Sequence, residues 1–356
     1  MEKRVQRLRR LMGERQVEAL FLSHPVSRRY LTGFTGSAGW VVVTESDQVL
    51  ISDFRYRSQV REQAPDFRFI EHKGKPFHDV KEVLNAAGVG SVAFEETHLT
   101  FAEYRKLKTA LHPIELEPMA GMVEKLREVK EKEELEVIRD AAQIADKAFA
   151  EIVKELRPGV KERDIALRLE VLMREQGAVS SSFDTIVASG PRSAMPHGVA
   201  SDRVMEKGDL VTLDFGALYQ GYCSDITRTV MLGQPSDRQR EIYEIVLEAQ
   251  KRTVAAIKRG ITGKEADRVA RDYISQHGYG DAFGHSTGHG LGMEVHERPN
   301  LSLRGETPLE PGMVVTVEPG IYLPEVGGVR IEDDVVVTDQ GHEVLTKSPK
   351  ELMIID

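Results

Sequence analysis

The chain has 356 residues, 40% of them apolar, and 48 Lys plus Arg against 57 Asp plus Glu leave a formal net charge of −9. That length exceeds the roughly 250–300 residues at which one hydrophobic core stops growing, so two domains are expected. The mild negative charge offers no attraction to nucleic acid or to an anionic membrane surface.

Residues 1–16 carry Arg and Glu through an amphipathic pattern (Val5, Leu8, Leu11, Met12) without the apolar stretch of a signal peptide. No window approaches the roughly 18 apolar residues of a membrane span. Cys223 is the one cysteine, so no internal disulfide can form and a reducing, cytoplasmic setting is expected. Short apolar runs at 17–22, 40–44, 49–52 and 91–94 read as strands, and 77–87 and 101–110 have helical spacing. That alternation predicts an α/β layer domain. Within it, Gly33-Phe-Thr-Gly36-Ser-Ala-Gly39 could cradle a phosphate, but no suitably placed acid or Lys-Ser/Thr completes a nucleotide fingerprint, so a glycine-rich turn is the better reading.

Pro113, Pro118 and Gly121 interrupt the pattern, and a charged segment at 124–136 opens a helix expected to run to about Leu156. The charge run reads as a solvated helix face. The domain boundary is placed here, giving domains 1–120 and 121–356. The second domain contains an internal repeat. Leu156-Arg-Pro-Gly159-Val-Lys-Glu-Arg-Asp164 returns as Ile257-Lys-Arg-Gly260-Ile-Thr-Gly-Lys-Glu265, and each copy reaches another glycine after the same interval, Gly177 and Gly278. Gly208-Asp-Leu-Val-Thr-Leu-Asp214-Phe-Gly216 likewise matches Gly312-Met-Val-Val-Thr-Val-Glu318-Pro-Gly320. A second strand follows in each copy, at 223–231 and 329–337. Each copy therefore reads helix, helix, strand, strand, and two copies make a pseudo-twofold mixed sheet backed by helices.

Acidic residues stand at matching places in these strands. Asp214 and Glu318 close apolar runs, and Asp225 and Glu332 open the strands that return. One such acid would be read as a turn or cap residue; four at duplicated positions are hard to ascribe to chance. Buried carboxylates gathered in one place repel one another, and a multivalent cation neutralises them. A lone histidine is usually structural, but His289 sits between Gly288 and Gly290, and His296 has a symmetric mate in His197. His289 has only Gly190 opposite it. Four carboxylates with one unsymmetrical imidazole suit two oxygen-rich metal sites, His289 serving one of them, with Mn²⁺, Co²⁺, Fe²⁺ and Zn²⁺ all chemically open. Cys223 reads as a core thiol and Tyr222 as a packing aromatic.

The set Leu-Asp214-Phe-Gly, Tyr-Cys-Ser-Asp225-Ile-Thr-Arg, Thr-Gly-His289-Gly-Leu-Gly, Val-Glu318-Pro-Gly and Arg330-Ile-Glu332-Asp resembles the five-ligand dimetal signature of the pita-bread metallopeptidases. That family includes methionine aminopeptidase, Xaa-Pro aminopeptidase and Xaa-Pro dipeptidase (prolidase). The first domain, with Thr-Gly-Phe-Thr-Gly-Ser-Ala-Gly39 and Ser-Asp53-Phe-Arg-Tyr56, resembles the creatinase-type N-terminal domain of the proline-specific members, which makes the methionine enzymes less fitting. The implied fold is a creatinase-like α/β domain followed by an α+β pita-bread domain. The resemblance implies that Asp214 holds one metal, that Asp225 and Glu332 bridge, and that His289 and Glu318 ligate the other. A hydroxide shared by the ions would attack, with Glu318 also passing its proton to the leaving nitrogen. His197 and His296 would orient substrate and stabilise the oxyanion, and His285 would line the proline subsite. Arg330 either orients a carboxylate ligand or is an ordinary strand arginine.

The expected protein is therefore a manganese-type, proline-specific exopeptidase acting on peptides with proline at the second position, and a homodimer by analogy. Several dipeptidase members carry Arg four positions after the residue matching His296; this chain has Asn300, which together with the Gly-Phe-Thr-Gly-Ser-Ala-Gly39 segment tilts the expectation toward Xaa-Pro aminopeptidase, with Xaa-Pro dipeptidase as the alternative. A non-catalytic binding protein of the same fold should have lost ligands, and all five are present.

Overall fold

The structure is a computed structural model that describes all 356 residues, and it divides into two compact units, Met1–Arg127 and Glu128–Asp356. The first unit is built on a six-stranded mixed sheet in the order Arg68–Glu71, Gln48–Ser52, Trp40–Thr44, Ala19–Leu22, Ser91–Glu95, Glu115–Met119. Helices Pro76–Ala87 and Phe101–Leu111 supply Val80, Leu84, Leu107 and Leu111 to its core. The four inner strands are almost wholly buried, which is why they stand out as apolar runs. The two strands that periodicity missed are the edges of the sheet, half-exposed and correspondingly polar.

The glycine-rich segment at 33–39 folds inward as a turn. Buried Arg28 donates to the carbonyls of Gly39 (2.7 Å) and Gly36 (2.6 Å), so its backbone is committed to the protein interior. The expected helix from 124 to 156 is two helices, Met122–Arg127 and Lys132–Ile152. Met122, Val123 and Leu126 are buried within the first unit, so the chain divides after Arg127 where 120/121 was expected. Glu131 restarts the helix with a capping box to Glu134.

The second unit contains two copies of one plan. Helices Lys132–Ile152 and Glu162–Glu175 precede strands Ile186–Ser189 and Leu210–Phe215, the hairpin Ala217–Tyr219 with Tyr222–Cys223, and strand Ile226–Leu232. Helices Asp237–Ala256 and Gly263–Gln276 precede strands Gly288–Gly290 and Val314–Val317, the hairpin Gly320–Leu323 with Gly327–Arg330, and strand Asp333–Thr338. In each copy the strands pair antiparallel, at Leu213↔Arg228 and Val315↔Val335 for example. The paired glycines Gly159 and Gly260, Gly177 and Gly278, and Gly208 and Gly312 all turn the chain in the left-handed region, with φ between 83° and 105°.

One expectation needs correction. The strands read at 223–231 and 329–337 are each broken, at Ser224-Asp225 and at Ile331-Glu332. The breaks have a physical cause: the Asp225 N–H leaves the ladder for the Asp334 carboxylate (3.0 Å), and the Glu332 N–H donates to the Thr227 carbonyl (3.1 Å). Each interruption falls on an acidic residue and frees it from the sheet face.

Candidate active site

The broken strands converge on a cavity of about 540 Å³ in the second unit, lined by Asp214, Asp225, His289, Glu318 and Glu332 together with His197, His285, His296 and Arg330. The structure thus brings together every residue that the sequence singled out. Asp214 lies in strand Leu210–Phe215, His289 is the centre of Gly288–Gly290, and Glu318 follows Val314–Val317 directly. Gly288 must lack a side chain, since a Cβ there would lie 1.9 Å from the Thr316 carbonyl oxygen; at Gly290 it would lie 2.3 Å from that of Arg298. The glycines therefore let the histidine strand press between its two neighbours.

Ligand atoms of Asp225, His289 and Glu332 all lie within 4.8 Å of one another, and all three residues are buried. His289 Nε2 is 3.3 Å from Glu318 Oε1 and 3.7 Å from Asp225 Oδ2. Its other nitrogen, Nδ1, lies 3.1 Å from the Gly290 carbonyl. A carbonyl only accepts, so Nδ1 carries a proton. Burial lowers the imidazole's pKa, but Glu318, which Nε2 meets, raises it overall; on giving up its own proton Nε2 presents a lone pair to the cavity as a metal-binding imidazole does. Asp214 Oδ1, Asp225 Oδ1 and Glu332 Oε1 are buried without any hydrogen-bond partner. Buried carboxylate oxygens without partners are costly, and a multivalent cation is the partner they fit. The residues present therefore suit a divalent metal centre.

Electrostatics point the same way. Burial pushes Asp225 well above the usual carboxylate range, and Glu332, Asp214 and Asp334 push it further. Glu332 is raised well above its ordinary value by burial and then by Glu318 and Asp214. Burial also raises Asp214, against the opposing pull of Arg330. Glu318 goes the other way: burial raises it, but the His289 contact and neighbouring positive charge outweigh that and hold it at about 2. Without a cation the cluster retains protons; with one, those protons leave.

A polar network behind the ligands holds them in place. Arg330 Nη2 donates to Asp214 Oδ2 (2.5 Å), and its Nη1 donates to the Tyr322 hydroxyl (2.8 Å). Thr227 Oγ1 donates to Glu332 Oε2 (2.7 Å). Arg228, almost wholly buried, donates to the Thr227 and Glu332 carbonyls and to the Asp333 carboxylate (2.8 Å). Sequence reading passed over Tyr322, Thr227, Arg228 and Asp334. The available signals were the alternation that puts Thr227 on the face of Asp225 and the three consecutive acids Glu332-Asp333-Asp334 in a buried strand. Tyr322 carried none.

The three remaining imidazoles differ in setting. His285 Nδ1 lies 2.8 Å from the Ser286 carbonyl and so bears the proton; its Nε2 then accepts from the Tyr322 hydroxyl (2.7 Å), which in turn accepts from Arg330. Burial lowers its pKa further. Both nitrogens are occupied, so His285 offers a ring face rather than a donor. His296 stacks edge-on against His289 with ring centroids 4.4 Å apart, and its pKa is lowered by burial and by His289. His197 sits in an exposed turn, and no hydrogen bond holds its ring. Cys223 is a buried thiol outside any disulfide, the Tyr222 hydroxyl donates to Glu134 (2.7 Å), and neither residue lines the cavity.

Comparison with known proteins assigns the chain's family. The profile of metallopeptidase family M24 matches residues 136–339, and that of the Creatinase/Prolidase N-terminal domain matches residues 4–129. A solved Xaa-Pro dipeptidase from Bacillus anthracis superposes with a TM-score of 0.98 at 52% identity, covering 99% of both chains. The Xaa-Pro dipeptidase of Pyrococcus furiosus is 43% identical over 99% of this chain and 100% of its own length. A solved X-Pro aminopeptidase from Thermotoga maritima is 44% identical with a TM-score of 0.91, covering 98% of this chain and all of that one.

Proposed function

Because the chain belongs to metallopeptidase family M24 and carries a Creatinase/Prolidase N-terminal domain, it is a peptide hydrolase, and we propose that it cleaves Xaa-Pro dipeptides in the manner of a prolidase. The observation that carries the reading is one cavity that combines five ligand-type side chains with three imidazoles free of the ligand set. The prolidase assignment, in preference to the aminopeptidase expected from Asn300, draws on relatives named Xaa-Pro dipeptidase at 43% and 52% identity across the full chain. Four carboxylates to one imidazole form a hard, oxygen-rich donor set, which favours Mn²⁺ in two sites held by Asp214, Asp225, His289, Glu318 and Glu332. When bound, such a pair polarises the scissile carbonyl and acidifies water.

The chain's own groups supply the rest. Glu318, a carboxylate that lines the cavity, takes the proton of an attacking water and hands it to the proline nitrogen. That nitrogen bears no hydrogen before cleavage, so the enzyme must deliver one. His197 and His296, which line the same cavity, donate to the carbonyl oxygen as charge develops. The ring face of His285 walls the space for the proline ring. The scheme also takes in a cytoplasmic homodimer, in keeping with a single cysteine that forms no disulfide.

A specific feature favours a second reading. Among the residues lining the cavity the one Lys or Arg is Arg330, already committed to Asp214 and Tyr322, and Asn300, which also lines it, is uncharged, so no spare cation is there to grip a substrate carboxylate. Without that grip a longer Xaa-Pro peptide would also fit, as for an Xaa-Pro aminopeptidase. Hydrolysis of Leu-Pro and of Leu-Pro-Pro-Gly by chelator-stripped protein, before and after Mn²⁺ addition, decides between them. Metal-dependent cleavage of Leu-Pro with the tetrapeptide untouched is the expected result; efficient cleavage of the tetrapeptide establishes the second reading, and silence on both with metal bound refutes proline specificity.

A further inference from the structure

His197 has the weakest hold of the cavity's imidazoles: its turn is exposed and nothing bonds its ring, so its place is set by the loop at 190–200 alone. Both ends of that loop meet one side chain. Glu162, on helix Glu162–Glu175, is completely buried. Its Oε1 accepts from the Ser189 N–H (2.8 Å) and hydroxyl (2.7 Å). Its Oε2 accepts from the Ser201 N–H (3.0 Å) and hydroxyl (2.6 Å) and from Arg192 Nε (2.9 Å). Arg192 then crosses the neck of the loop to the Val199 carbonyl (2.6 Å). Five donors on two oxygens leave the group ionised: burial raises its pKa, but the hydrogen bonds more than offset that.

The second half of the unit repeats the device. Asp267, completely buried on helix Gly263–Gln276, accepts from the Thr287 N–H (3.1 Å) and hydroxyl (2.9 Å) and pairs with Arg271. Arg271 donates to the carbonyls of Phe283 (3.0 Å) and His285 (2.8 Å), so this carboxylate fastens the segment that bears a second cavity histidine, His285. In both halves a buried acid on the second helix, paired with an arginine, takes a hydroxyl and a backbone N–H from a histidine-bearing loop. A purely packing role would not require the acid to sit at the loop's two ends.

We propose that Glu162 is a positioning residue for the hydrolysis, which clasps both ends of the 190–200 loop and so holds His197 over the substrate. The proposal rests on the reading that His197 touches substrate. Glu162→Gln turns an amide N–H toward donors and releases one end of the loop.

A double-mutant cycle separates positioning from general structural damage. Glu162→Gln is expected to lower kcat on Leu-Pro by roughly 10–100-fold, the usual cost of losing a partner that orients a functional group, with metal content unchanged. In a His197→Ala background the same change should cost less than about twofold, because the group it positions is already gone. An equal loss in both backgrounds, or unchanged kcat in Glu162→Gln, overturns the proposal. Should His197→Ala itself leave kcat at the wild-type level, the underlying reading of His197 fails instead, so the two failures are distinct. Ser201→Ala, which deletes one hydroxyl and keeps the fold, runs the same cycle if Glu162→Gln does not accumulate: a smaller loss that vanishes beside His197→Ala supports the clasp, and an additive loss refutes it.

Discussion

Glu332→Gln should lose both metal binding and, with it, on the order of 10³-fold or more in turnover on Leu-Pro. The magnitude follows from the several kcal/mol that Lewis-acid polarisation contributes to such a reaction, at 1.36 kcal/mol per decade of rate. Glu332 is the right residue to test because its Oε1 is buried without a partner while its Oε2 accepts from Thr227; glutamine keeps the second contact and removes the charge. The same change should act oppositely on the metal-free protein. Glu332 is raised well above its ordinary pKa in the folded state, so the folded chain binds more protons than the unfolded one above the ordinary carboxylate range, and stability falls as pH rises through that window. Removing the carboxylate removes that penalty, so metal-free Glu332→Gln should melt higher than metal-free wild type at pH 7 and gain little on adding Mn²⁺. Full metal retention by the variant would contradict a bridging position for Glu332.

His197→Ala should give the opposite pattern, with metal content intact and kcat lowered by roughly 10²–10³, the range for removing one donor to a developing oxyanion. The imidazole lines the cavity from an exposed turn and contributes nothing to the buried carboxylate cluster, so no metal loss is expected. Measuring bound metal and kcat on the same preparation checks both halves. Loss of metal on this substitution would make His197 a ligand and break the division between ligating and substrate-facing histidines.

How far the fold can be read from the chain depends on where each segment is buried. Strands such as Trp40–Thr44 and Leu210–Phe215, covered on both faces, appear as continuous apolar runs. The edge strands Arg68–Glu71 and Glu115–Met119 keep polar residues because one side of their backbone faces solvent, and no period-2 signal survives. The duplication was legible through its glycines, since Gly159 and Gly260 occupy backbone conformations closed to most side chains. The breaks at Asp225 and Glu332 were not, because each depends on a hydrogen bond to a residue about a hundred positions away. The split of the expected 124–156 helix has a related cause. Lys130 lies buried against Glu297 at 3.2 Å, and that partner is invisible to a local charge pattern.

The site shows the same division. All five ligand-type residues carry their own signal, as acids and a glycine-flanked histidine where apolar or β-branched residues should stand. The groups that hold them carry almost none: Glu162 and Asp267 sit on amphipathic helices where an acid ordinarily marks the solvent face, yet both are completely buried. The choice between dipeptide and longer substrates turned on Asn300 and the glycine-rich segment at 33–39, and one cavity position with a turn whose backbone is bound by Arg28 is too little to set chain-length preference.

The most direct measurement is a calorimetric titration of chelator-stripped protein with Mn²⁺, with Leu-Pro hydrolysis followed on the same samples. Two ions bound per chain, with hydrolysis absent in the stripped protein and restored as the sites fill, is the predicted result. Saturation without a second ion, or hydrolysis that persists after stripping, would contradict a dimetal centre built from Asp214, Asp225, His289, Glu318 and Glu332.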